Sequence, residues 1–365
     1  MSPPPRAIAF NGKFYSGGLN GVHRVADRLI REVDRQVSDL PVSERPPMRL
    51  LLPRKRSWTP TLQATLLDEQ RLGHTQIWEQ GILPGEAKHD VLVNLCNLAP
   101  LRHHRQLLLL HDAQYRFRDC SYPFRERWGH RLLAPRMAGR SARVLTVSQY
   151  SRQILDLTGV VERHRIAILH NGADHILDLE PNRDVFEEMG VTANEYVVLF
   201  GSTKRYKNVE LLFDAFKRPE LAGTSLVVIG TGRVAHERAG MTPPANAIFT
   251  GVIDDGKLRA LYEGAICVCL PSRTEGFGLP PVEAMLLGCP AIVAPAGAMP
   301  EICRDAATYA DVDEPGEWIA AILALKQDLA LRARKIADGR ARAADFTWRR
   351  AGERLLGELL TLANG

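Results

Sequence analysis

Short stretches that are apolar throughout recur along the chain, and between them the apolar residues switch to helical spacing. The apolar runs fall at 6–10, 49–52, 91–95, 106–110, 143–147, 166–169, 196–200, 225–229, 266–270 and 290–294. A strand with one wet face alternates apolar and polar residues. A strand covered on both faces does not, and such strands belong to parallel sheets flanked by helices. After the first run, Val22, Val25, Leu29, Ile30, Val33 and Val37 keep i, i+3, i+4 spacing, with Arg24, Asp27, Arg28, Arg31 and Glu32 opposite. Strand–helix alternation of this kind predicts an α/β protein with parallel sheets.

The 365 residues exceed one ordinary core and suit two domains of roughly 150 to 200 residues each. The alternation pauses between about 174 and 194, where His175-Ile-Leu-Asp-Leu-Glu-Pro-Asn182 reads as a connector. The expected division is therefore 1–180 and 181–345, followed by a closing segment, 346–365, whose stretch 348–362 is helical by pattern. Two doubly wound domains leave a cleft at the carboxyl ends of their strands, where such folds bind ligands.

Several classes drop out. No apolar run approaches the roughly 20 residues that span a bilayer. The start, Met1-Ser2-Pro3-Pro4-Pro5-Arg6, lacks the apolar stretch of a secretory signal. Six cysteines with no CxxC pair make no disulfide framework, and Cys267, Cys269 and Cys289 sit in apolar runs as buried thiols would. The reading is cytoplasmic. Charge is uneven: residues 1–180 hold 26 Lys/Arg against 18 Asp/Glu, whereas 181–365 hold 21 against 24, so the two halves are expected to meet different partners.

The most informative stretch is Leu270-Pro-Ser-Arg-Thr-Glu-Gly-Phe-Gly-Leu-Pro-Pro-Val-Glu-Ala-Met. It leaves a strand, turns through Gly276 and Gly278, and enters a helix with Pro281 in its first turn, where the missing N–H costs nothing. Glu275 lies on the loop and Glu283 near the helix start, among free amides that favour an anion. One such carboxylate reads most simply as a cap. Two that bracket GFGLPP are harder to explain that way.

Glu275-Gly-Phe-Gly-Leu-Pro followed by Glu283-Ala-Met resembles the E-x7-E signature of retaining GT-B glycosyltransferases of family four. The resemblance runs over nearly the whole chain, through the first glycine loop, His111-Asp112, Ser148-Gln-Tyr-Ser151, Asn171-Gly-Ala-Asp174, Gly201-Ser-Thr-Lys-Arg-Tyr-Lys-Asn208 and Pro300-Glu301. It implies a GT-B fold, two Rossmann-like domains facing across a cleft, with the acceptor side in 1–180, the nucleotide sugar mainly on 181–345, and the last helix packed back on the first domain.

The resemblance also implies roles for single residues. The departing diphosphate needs neutralising charge from a metal or from cationic side chains. In this family the side chains supply it, and Lys207 stands at the lysine of the G-x5-K motif. Lys204 and Arg205 add charge nearby, although Ser202 and Tyr206 occupy places where many members carry arginine. Glu283 stands where the ribose hydroxyls are held and Glu275 beside the transferred sugar, either steadying an oxocarbenium-like charge or acting as a nucleophile. Gly276, Phe277, Gly278 and Leu279 complete that donor loop, and Gly230 in Gly230-Thr-Gly232 forms a further nucleotide-side turn. In the first half, Gly17, Gly18 and Gly21 precede a helix, where backbone can approach a phosphate or sugar. His111 ends a leucine-rich strand and resembles the histidine that contacts the donor sugar.

No Asp-x-Asp follows a suitable strand and no His/Cys cluster has zinc spacing, so no metal and no other cofactor is expected. The glycine pattern also lacks the full nicotinamide fingerprint. Residues 115–143 hold eight arginines, two acids and Tyr115, Phe117, Tyr122, Phe124 and Trp128. A solvated face is one reading. Peripheral contact with an anionic membrane, at the inner face of the cell membrane near a polyprenyl-diphosphate-linked acceptor, is the other, and no nucleic acid is expected.

The resemblance to bacterial mannosyl- and rhamnosyltransferases implies hexosyl transfer to a glycan or lipid-linked oligosaccharide hydroxyl in surface polysaccharide (lipopolysaccharide) synthesis, with GDP-mannose as first donor. Rhamnosyl or other hexosyl transfer from a dTDP- or UDP-sugar is an alternative. So is a catalytically idle sugar-nucleotide-binding or scaffold protein.

Overall fold

The computed structural model describes residues 6–18, 20–70, 76–113 and 124–365. The chain separates into two compact units, one running to residue 172 and adding Thr347–Gly365, the other spanning Ala173–Phe346.

In the first unit seven strands form one parallel sheet. They are β1 (Ile8–Asn11), β2 (Met48–Leu52), β3 (Thr65–Glu69), β4 (Val91–Asn94), β5 (Gln106–Leu110), β6 (Arg143–Thr146) and β7 (Ile166–Ile168), in the order β3-β2-β1-β4-β5-β6-β7. Ile8 stands opposite both Met48 and Val91, which fixes β1 at the centre. Every residue of β1, β4 and β5 is buried, and this is why their sequences are apolar without alternation. Strand order reverses between β1 and β4, so their carboxyl ends part and leave a crevice.

The first helix, Gly21–Ser38, begins where the Asn20 side chain accepts a hydrogen bond from the His23 backbone N–H at 3.0 Å. It buries Val25, Leu29, Ile30, Val33 and Val37, each contributing on the order of 1.5–3 kcal/mol. The helix Trp348–Asn364 packs against it. Gln36 Nε2 donates to the Arg349 carbonyl at 2.9 Å, Arg143 pairs with the buried Glu358 at 2.6 Å, and the Arg6 N–H donates to the Ala363 carbonyl at 3.2 Å.

The second unit carries a six-stranded parallel sheet. Its strands are β8 (Tyr196–Gly201), β9 (Ser225–Gly230), β10 (Ala247–Gly251), β11 (Cys267–Leu270), β12 (Ala291–Val293) and β13 (Thr308–Tyr309), in the order β10-β9-β8-β11-β12-β13. Val197, Leu199, Leu212, Phe213 and Trp318 lie in its core, and the Trp318 indole N–H donates to the Asp311 carbonyl at 2.7 Å. Cys267, Cys269 and Cys289 are buried, and burial pushes the thiols of Cys267 and Cys289 well up. The turn Asp174–Asp178, which the sequence pattern leaves in the first domain, falls in this unit, where His175 meets Glu283.

All ten apolar runs are strands, shifted at their ends by a residue or two. Three further strands, β3, β10 and β13, were not expected, and each is the outermost strand of its sheet. An edge strand is covered on fewer sides, so its apolar signal fades: β3 leaves Leu66 and Leu67 exposed. Among the described residues no helix is long and apolar enough to cross a membrane.

Candidate active site

In the second unit, residues 271–278 join β11 to the helix Leu279–Leu286, whose first turn carries Pro280 and Pro281. The turn needs glycine at two places. Gly278 caps the helix with φ +82°, and a Cβ there would stand 2.1 Å from Met299 Cε. Gly297, with φ +64°, presses on the loop from below, where a Cβ would come within 2.4 Å of the Glu275 nitrogen. The Ala298 N–H donates to the Glu275 carbonyl at 3.0 Å. Glu275 is thus held by its backbone and only 8 % exposed.

Its carboxylate meets Lys207. Lys207 Nζ lies 2.7 Å from Glu275 Oε1, joining stretches 68 residues apart. Lys207 ends the turn Arg205–Lys207 that follows β8, and Asn208 reverses the chain there with φ +53° while its amide donates to the Val312 carbonyl at 2.7 Å. The two loops are tied a second time, the Arg273 N–H donating to the Tyr206 carbonyl at 2.8 Å. Arg205 is exposed on the same turn, and the Ser202 hydroxyl accepts from the Lys204 N–H at 3.2 Å. Gly230 closes β9 with φ +99°, in register with Gly201 at the end of β8.

Glu283 lies in the same helix as Leu279 and is 5 % exposed. Its Oε1 is 3.3 Å from His175 Nε2, and its Oε2 accepts from the Tyr262 hydroxyl at 3.4 Å. Sequence reasoning missed His175 and Tyr262, which carry no motif of their own. The Phe277 side chain packs edge-on against Phe346, with centroids 5.4 Å apart, so at this position the loop presents backbone. Gly276 and Leu279, on either side, are half-buried.

In the first unit Gly17 shares a cavity with Asn11 at the end of β1 and with Leu95 and Cys96 just past β4, and His111 follows β5. Gly17 follows the turn Lys13–Ser16, His23 Nδ1 donates to the Gly18 carbonyl at 2.7 Å, and Gly21 opens the first helix. His111, just past β5, is buried, and its Nε2 donates to the Leu95 carbonyl at 2.9 Å. The Ser151 hydroxyl donates to the His111 carbonyl at 3.1 Å, and Ser148 caps the following helix, Gln149–Leu157. That accounts physically for the Ser148-Gln-Tyr-Ser151 stretch. The sequence had not singled out Lys13, His23, Glu79 or Cys96, which share a cavity with Gly17.

Burial lowers the His111 imidazole from 6.5 to about 4, so the ring is neutral at pH 7 and acts as a hydrogen-bonding group. As pH falls, the unfolded chain binds the proton first. The stabilisation is complete above about pH 6.5 and drains away towards pH 4, by about 3 kcal/mol in all. Urea unfolding at pH 7 and 4.5 should show that slope, and His111→Asn should flatten it; an equal slope in the variant counts against the assignment.

Two doubly wound parallel sheets, each with its own core, define a GT-B fold. In fold the chain is similar to Anabaena HepE, solved in complex with UDP and glucose, at a TM-score of 0.71 and 17% identity over 98% of this chain and 100% of that one. Residues 183–342 match the family described as glycosyl transferases group 1. The chain is 29% identical over 245 residues to the MMP alpha-(1->4)-mannosyltransferase of Mycolicibacterium hassiacum, covering 62% of this chain and 56% of the relative. It is 25% identical over 228 residues to the O-antigen chain mannosyltransferase RfbU of Salmonella typhimurium, covering 61% of each. The chain thus spans about six tenths of the length of these curated relatives.

Proposed function

We propose that the protein is a retaining glycosyltransferase that moves a hexose from a nucleotide sugar to the hydroxyl of a glycan or lipid-linked oligosaccharide, without a required metal. The observation that carries this reading is the 2.7 Å pair between Lys207 and Glu275 at the mouth of the β11 loop. When the anomeric C–O bond breaks, negative charge gathers on the leaving diphosphate and positive charge on the sugar ring. A fixed ammonium beside a fixed carboxylate matches that separation. Lys207, with Arg205 nearby, offsets the diphosphate, and the amides at the start of Leu279–Leu286 add to it. Glu275 steadies the sugar, and Glu283 accepts from the ribose hydroxyls.

GDP-mannose is the proposed donor, supported by the mannosyltransferase names of the two relatives described above. A thermal-shift screen across GDP-, UDP-, dTDP- and ADP-sugars tests it, because a ligand at about 100 times its Kd stabilises by about 2.7 kcal/mol. GDP-mannose should give the largest shift, and a larger one from another sugar nucleotide would replace it. Transfer should also survive EDTA, and a strict demand for manganese would defeat the metal-free reading.

Peripheral membrane contact is part of the proposal. The helix Phe124–Arg140 leaves Trp128, Leu132 and Leu133 exposed beside Arg136 and Arg140, a mixture that suits an anionic surface. Residues 114–123, which hold Tyr115, Phe117 and Tyr122, lie outside the described residues. Liposome flotation should show binding to anionic vesicles that salt weakens; equal, salt-insensitive partition onto neutral vesicles would remove this part.

A further inference from the structure

We propose that the cavity at the head of the first sheet is a subsite for one neutral pyranose ring of the acceptor, with Glu79 and Lys13 as its recognition pair. The parent molecule of that ring rests on the glycosyltransferase reading above; the sugar site itself rests on the cavity and its lining. The cavity measures about 210 Å³ and opens where β1 and β4 part, at the reversal of strand order. It lies below the range, from about 300 Å³, typical of sites for drug-sized ligands, and so suits a single ring.

Glu79 enters from a five-residue π-helical turn, Trp78–Ile82, a backbone form often found at functional positions. It is 2 % exposed. Lys13 Nζ lies 2.6 Å from its Oε2, and Asn11 Nδ2 donates to its Oε1 at 3.1 Å. Behind it an amide chain crosses the sheet: Asn11 Nδ2 donates to Asn94 Oδ1 at 2.9 Å, and Asn94 Nδ2 to Gln106 Oε1 at 3.1 Å. A buried ion pair of this kind gives the fold little that apolar side chains could not give. As a pre-set binding pair it has a purpose, since a network anchored on three strands holds it still.

The chemistry of the lining selects the ligand class. Lys13 and Glu79 cancel in charge, and an entering phosphate would face the buried carboxylate. A neutral polyol suits both, because the carboxylate has lone pairs for hydroxyl donors and the ammonium has further N–H groups for a hydroxyl oxygen. The half-buried His23, its ring 5.7 Å from that of the buried Phe14, offers a ring edge to the C–H face of a sugar. Cys96 on the wall is no nucleophile, since burial and the Glu79 charge push its thiol far up.

The test titrates the methyl α-glycosides of mannose, rhamnose, glucose and galactose into the full chain without nucleotide, read by saturation-transfer NMR. At least one should bind saturably, and Glu79→Gln and Lys13→Met should each weaken it by about tenfold, the loss of one charge-assisted contact. Ser16→Trp, which fills the rim and leaves the pair intact, should block binding and decides the matter if the other variants fail to fold. Saturable binding of none of the four glycosides, unchanged affinity in Ser16→Trp, or displacement of the glycoside by pyrophosphate would each overturn the proposal. The nucleotide-sugar screen reports separately. Nucleotide sugars binding while glycosides do not sinks the subsite alone; the reverse sinks the enzyme reading and leaves the sugar site standing.

Discussion

Glu275→Ala should keep its fold and its nucleotide and lose sugar transfer by at least about a hundredfold, the scale set by removing one fixed charge that meets the transition state. Glu275 is suited to such a test because the Ala298 N–H and the pressure of Gly297 hold its backbone, so truncating the side chain leaves the loop in place. Glu275→Gln keeps the shape and removes the charge, and should fall in the same direction. Donor turnover with and without acceptor measures both. Equal background hydrolysis in wild type and Glu275→Ala would favour the catalytically idle binder instead.

Lys207→Ala should weaken donor binding by about 1–3 kcal/mol, since a charge-assisted phosphate contact goes. Isothermal titration with the nucleotide alone reads this. Part of the loss will reflect Glu275 left buried without its ion partner. Lys207→Arg separates the two contributions by restoring charge without the same reach. An unchanged nucleotide affinity in Lys207→Ala would take the residue out of the site. The two substitutions share one contact, so their combined effect should be smaller than the sum of the single ones.

The interior of the fold was legible in the sequence because buried strands and helices obey strict periods. Runs such as Leu107–Leu108–Leu109–Leu110 have only one comfortable place, between two covering layers. What escaped lies where fewer neighbours impose the pattern, at β3, β10 and β13 on the sheet edges. At the candidate site the loop EGFGLPP was readable because glycine and proline state their backbone demands openly. Gly297 was not, because its reason is the Glu275 backbone lying against it, a neighbour supplied only by folding. His175 and Tyr262 approach Glu283 from 108 and 21 positions away in sequence, and neither spacing means anything in a strand or a helix. Lys13 and Glu79 were hidden for the same reason, 66 positions apart and joined through a π turn that no periodicity announces.

The helix Trp348–Asn364 lies on the face of Gly21–Ser38, in the unit begun some three hundred residues earlier. Translation therefore delivers the second unit whole before the first can be finished. Until those last turns leave the ribosome, the face of the first helix around Glu32 and Gln36 stays uncovered. A chain cut before Thr347 should lose order in the half farthest from the cut along the polypeptide.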